Sequence, residues 1–155
     1  MVYTLFLSLH SLFRWVVLAA ILLAVFRAYR GWLGNKPFTK FDNLVRHTTA
    51  TLAHIQLVFG LTLYFISPVV HYFLTHYHDA LHQRELRFFG MEHSSMMLLA
   101  ILLITLGSAF AKRKVSDKDK FKTIAIWYTI ALFIILLNIP WAFSPIVARP
   151  YWRTF

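Results

Sequence analysis

Eight histidines and one deeply placed arginine are the residues through which this chain could do chemistry. The histidines are His10, His47, His54, His71, His76, His78, His82 and His93. Three of them, His10, His54 and His93, fall inside long apolar runs, and so do Arg14 and Glu92. An ionisable group inside a membrane span is costly, so it generally has a partner or a task. A neutral imidazole is the commonest metal ligand. The chain has no cysteine, which removes disulfides, thiolate catalysis, cysteine-held iron–sulfur clusters and the C-x-x-C-H attachment of c-type haem. Any haem is therefore held non-covalently, by histidine or methionine.

The elements that position these residues are apolar helices. Of the 155 residues 59% are apolar, above the share usual in a soluble domain, and they are gathered into runs long enough to cross a bilayer. The runs predict four spans, at about 2–26, 44–67, 88–111 and 123–143, in a single domain covering 1–155. The first run lacks a basic leader and a small-residue cleavage site, so it is expected to be retained as a span. Gly31, Gly34 and Pro37 are expected to break the helix after span one, and Asp42 or Asn43 to cap span two. The histidine-rich connector 69–87 is expected to lie along the membrane surface as an amphipathic helix. The fold class is all-α, an integral membrane four-helix up-down bundle.

Charge sets the expected orientation. Arg27, Arg30, Lys36, Lys40 and Arg46 surround the first connector, and Lys112, Arg113, Lys114, Lys118, Lys120 and Lys122 surround the third. The opposite side holds Arg84, Arg87, Arg149 and Arg153. The positive-inside rule then places both termini on the extracytoplasmic side of a bacterial inner membrane, with the aromatic tail 146–155 as an interfacial anchor. The formal net charge of +10 is accounted for by these flanks, no nucleic-acid motif accompanies it, and nucleic acid is excluded as a partner.

In an up-down ring, spans one and three are diagonal. At helical rise His10 lies ~10 Å and His93 ~8 Å below the same edge. Two imidazoles at matched depth on diagonal helices suit the axial ligation of one haem iron, with Arg14 and Arg87 beside its propionates and Glu92 pairing with Arg14 or orienting an imidazole. His10 and His93 also have a plainer reading, as interfacial or hydrogen-bonded histidines. His54 lies deeper, and span four offers it no histidine opposite. It would ligate with Met96 or Met97, replace one of the other two, or hydrogen-bond Asn138, a threonine or a quinone. His78 and His82 are spaced i and i+4, with Glu85 nearby, and on a helix could take an outer divalent metal; a solvated connector is the alternative.

The segments HSLFRW, AHIQLVFGLTLYFISP, MEHSSMMLLAILLITLGSA and the closing IPW resemble the small bacterial four-helix membrane proteins labelled cytochrome b-like. The scheme is more distantly similar to one half of haem A synthase, and to the protoporphyrinogen oxidase and copper-resistance membrane families. It departs from haem A synthase in having no histidine in span four, and the later lysine motif of the oxidase family is absent. The resemblance implies a b-type haem and points to His10, His54, His93, Arg14 and Glu92. The expected function is electron transfer, with quinol as a candidate donor, as a haem subunit of a respiratory assembly or a homo-oligomer rather than a stand-alone enzyme. The alternatives are a haem-metabolism enzyme with porphyrin as substrate, and a non-redox accessory membrane subunit.

Overall fold

The computed structural model describes residues 2–143 and Val147. The tail expected to anchor at the interface, with Arg149 and Arg153, lies outside the described residues. Among those residues every regular element is helical: α1 (Val2–Leu33), α2 (Lys40–Ile66), α3 (Pro68–Thr75), α4 (Tyr77–Ala80), α5 (Arg84–Arg87), a π-helical turn (Phe88–Glu92), α6 (His93–Arg113) and α7 (Asp117–Asn138). Four helical stretches are long and apolar enough to cross a membrane: Val2–Leu33, Lys40–Ile66, Arg84–Arg113 and Asp117–Asn138. The chain is a multi-pass membrane protein built as a four-helix bundle.

The local chemistry of the first connector explains where the helices end. Gly31 does not break α1; its missing Cβ is where the Phe121 ring packs. The helix runs on to Leu33 and closes with Asn35 at a positive φ of 46°, the Lys36 N–H bonding the Gly31 carbonyl at 3.0 Å. The cap of α2 is Thr39, ahead of the expected Asp42 or Asn43. Thr39 Oγ1 accepts from the Asp42 N–H at 3.3 Å, and the Asp42 carboxylate accepts from the Thr39 N–H at 2.9 Å. Asp42 also takes Arg27 Nη2 at 2.7 Å, which clamps the end of α1 to the start of α2.

The helices form a ring in which α1 packs on α2 and α7, and α6 packs on α7 and α2. This leaves α1 and α6 diagonal. The core is one-sided along the bundle axis. At the end carrying the basic loops, Ala24, Ala28, Ala50, Ala53, Ala111 and Ala125 let the helices approach closely around Ile21, Ile104 and Tyr128. In contrast, no described residue of α2 beyond Ala53, or of α6 before Ala100, is fully buried. The α2–α6 seam is the most open of the four, and it is open at the histidine end.

Buried polar groups at the basic end are fully engaged. Arg46 is buried; its Nη1 donates to the Ser108 carbonyl at 3.0 Å and to Ser108 Oγ, and Nη2 donates to Asn43 Oδ1 at 2.9 Å. The Tyr128 hydroxyl donates to the Arg46 carbonyl at 2.9 Å. One polar cluster thus ties α2, α6 and α7. Ser108→Ala deprives a buried guanidinium of a charge-assisted hydrogen bond and is expected to lower stability by ~1.5–3 kcal/mol. Reversible unfolding of the purified protein in mixed micelles checks this; an unchanged midpoint would contradict it.

Candidate functional site

The histidine end is where α1 and α6 bring their polar residues together. The rings of His10 and His93 lie with centroids 6.4 Å apart and planes at 75°. His10 sits on α1 between Phe6 and Phe13, which both pack edge-on against Phe59 of α2, at 6.3 and 5.6 Å. That zip sets the α1–α2 register and places Gly60 opposite His10. A Cβ at Gly60 would stand 3.3 Å from His10 Cε1, so the glycine makes room for the ring. Gln56 completes this contact by donating from Nε2 to the His10 carbonyl at 3.0 Å.

His93 is held from the other side of the ring of helices. Its Nδ1 donates to the backbone carbonyl of Asn138 at 2.8 Å. The origin of that acceptor is legible in the chain. Pro140 has no N–H and disfavours helix before it, so α7 stops at Asn138 and its last carbonyls lose their intrahelical donors. His93 satisfies one of them. Because a carbonyl only accepts, the proton is on Nδ1 and the neutral ring keeps its lone pair on Nε2. This is the arrangement by which metal-binding histidines are oriented. Phe88 and Phe89 flank the same ring at 5.5 and 6.2 Å, both from the π-helical turn that precedes it. The Arg14 guanidinium stacks over Trp15 at 5.2 Å and acts electrostatically on both imidazoles.

His10 differs from His93 in one respect. Its Nδ1 is completely enclosed and has no hydrogen-bond partner among the described residues. The site therefore contains an orphaned ring nitrogen, a cradle that any side chain at position 60 would fill, and two rings held apart. Two imidazoles sharing one metal ion have centroids ~6.4 Å apart, from about 2.0–2.1 Å of metal–nitrogen distance and about 1.2 Å of ring radius on each side. The observed 6.4 Å matches. No group of three metal-ligating side chains occurs among the described residues, so a bare ion would be left under-coordinated here. Two imidazoles suit a metal that brings its own equatorial ligands, as a porphyrin does. On these observations the residues present fit haem.

Other expected site residues go elsewhere. Glu92 pairs with Arg87 at 2.6 Å, not with Arg14, and Arg87 also donates to the Leu81 carbonyl at 3.1 Å. Both are half-buried and neutralise one another, so Arg87 is not spare for a propionate. His54 is exposed on the outside of the α2–α6 seam, where Nε2 meets Thr105 Oγ1 at 2.9 Å. The structure thus places it with a threonine, apart from the other two histidines. His78 and His82 are exposed with centroids 6.4 Å apart, but α4 ends at Ala80, so the continuous helix that their i and i+4 spacing requires does not form. The connector itself is folded into α3, α4 and α5, with Val70, Phe73 and Ala80 buried. Gln56 and the pairing of His93 with the Asn138 carbonyl do not follow from the sequence; the I-P pair after Asn138 is the sign of a freed carbonyl but not of its partner.

No family model, curated protein or solved structure matches the chain.

The different anchoring of the two histidines has a measurable consequence without any cofactor. His93→Ala leaves the Asn138 carbonyl unpaired and is expected to cost ~1–3 kcal/mol in the metal-free protein. His10→Ala removes a nitrogen that already lacks a partner and is expected to cost less. Equal losses in the two variants, measured by unfolding of apoprotein, would contradict this assignment of the hydrogen bonds.

Proposed function

We propose that the chain is a b-type cytochrome-like membrane protein, holding one non-covalent haem between His10 and His93 and serving in electron transfer. The observation that carries the reading is the 6.4 Å separation of two imidazoles on diagonal helices. Three further features support it. His93 is oriented through Nδ1, its neighbours Phe88 and Phe89 restrict water, and Arg14 sets a positive charge beside the rings where an acid group of the cofactor would be neutralised.

When bound, haem supplies one-electron redox chemistry. The protein's part is to fix the ring of His93, to keep His10 clear of α2 by means of Gly60, and to hold the site in apolar surroundings. An electron-transfer protein or the haem subunit of a larger respiratory assembly is the reading that uses both imidazoles as ligands. A quinol is the natural electron source for a site at the membrane edge. Because basic residues crowd the opposite end, the histidine end is assigned to the extracytoplasmic side of a bacterial inner membrane.

The test is a reduced-minus-oxidised optical spectrum of protein expressed with ample haem, beside His10→Ala, His93→Ala and His54→Ala. A low-spin b-type band is expected in the parent and in His54→Ala and is lost in the other two. A colourless parent would overturn the haem reading and leave a redox-silent accessory subunit. A band that survives both His10→Ala and His93→Ala would overturn the ligand pair.

A further inference from the structure

At the basic end, a groove of about 330 Å³ opens between the end of α6 and the start of α7, lined by Phe110, Arg113, Lys114, Thr123 and Trp127. Its floor is apolar. The rings of Phe110 and Trp127 meet at 5.2 Å and 69°, and Trp127 is seated directly on Gly107, where any Cβ would collide with it. Thr123 turns its hydroxyl back to the Asp119 carbonyl at 2.7 Å. The rim is cationic.

Several other cations at this end are engaged, while Arg30, Lys36, Lys40, Lys112 and Lys118 are exposed but do not line the groove. Arg27 is paired with Asp42, and Arg46 is hydrogen-bonded to Ser108 and Asn43. Lys120 is paired with Asp117 and lies over Phe38, and Lys122 lies over Trp32. Asp119 accepts from Ser116 in the cap of α7. Arg113 and Lys114 are exposed, and their side chains make no hydrogen bond or ion pair with any described residue; the Lys114 backbone N–H bonds the Ala111 carbonyl at 3.2 Å. Two adjacent positive charges therefore stand without a counter-ion among the described residues, above an aromatic floor, at the end of two spanning helices. Water-soluble anions need the charges but not the floor. A lipid needs both.

We propose that this groove binds an anionic phospholipid, Arg113 and Lys114 meeting its phosphodiester while Phe110 and Trp127 receive the first methylenes of an acyl chain. The site is independent of the histidine pair and lies at the other end of the bundle.

The full-length protein in nanodiscs of mixed phosphatidylglycerol and phosphatidylcholine provides the test, with retained lipid read by native mass spectrometry. Two double variants of equal charge are compared: Arg113→Gln with Lys114→Gln in the groove, and Lys112→Gln with Lys118→Gln outside its lining. All four positions are exposed, and helical circular dichroism verifies that both variants fold. Retained phosphatidylglycerol is expected to fall about fivefold per charge removed, roughly 25-fold in the groove variant, and to change little in the control. Equal losses in both would reduce the effect to general surface charge and overturn the proposal. Retention of phosphatidylcholine as readily as phosphatidylglycerol, or displacement of the lipid by inorganic phosphate, would overturn it too.

Discussion

A bilayer offers no water to polar groups in its interior, so each polar side chain in a span has to find its partner inside the protein. Most of this bundle can be understood as the ways that requirement is met. Arg46 reaches across to Ser108 of α6; the Thr49 hydroxyl turns to the Val45 carbonyl at 2.8 Å; His54 meets Thr105 on the next helix; His93 takes the freed carbonyl at the end of α7. Each bond links a polar residue to a particular neighbour and so selects the packing of the helices. Against that background the enclosed Nδ1 of His10, like the Gln56 Oε1 on the helix beside it, is among the few buried polar atoms that no described group answers.

The same constraint divides the molecule into two halves with different work. At the basic end small residues bring the helices close, and a buried polar cluster locks α2, α6 and α7. That half is a closed core. At the histidine end α1 and α7 still contribute buried residues, while α2 and α6 contribute none. The closed half thus holds the four helix ends at fixed spacing.

Much of this was legible in the residues. Four apolar runs with basic flanks imply four helices in an up-down ring, and equal depth on diagonal members puts His10 opposite His93. Local competition between partners was not legible. Glu92 could be matched with Arg14 by depth, but Arg87, on the same stretch of helix and brought round by the π-helical turn, is nearer and takes it at 2.6 Å. Thr39 outcompetes Asp42 as the cap because Asp42 is more useful one turn on, where it closes the capping box and also binds Arg27. His78 and His82 have helical spacing in a segment too short and too turn-rich to sustain a helix. Gly31 reads as a breaker, yet in a packed span a missing side chain is also a seat for a ring such as Phe121. In each case the deciding fact is which group arrives from another helix, and spacing along one helix does not contain it.

The central claim, that His10 and His93 share one haem iron, is tested most directly by the electron paramagnetic resonance spectrum of the oxidised, haem-loaded protein. The planes of the two rings stand at 75°. Near-perpendicular axial imidazoles leave the ferric d orbitals close in energy, so the account predicts a low-spin signal of the highly anisotropic, large-g type. A high-spin signal would mean that one of the imidazoles does not reach the iron, and would contradict it.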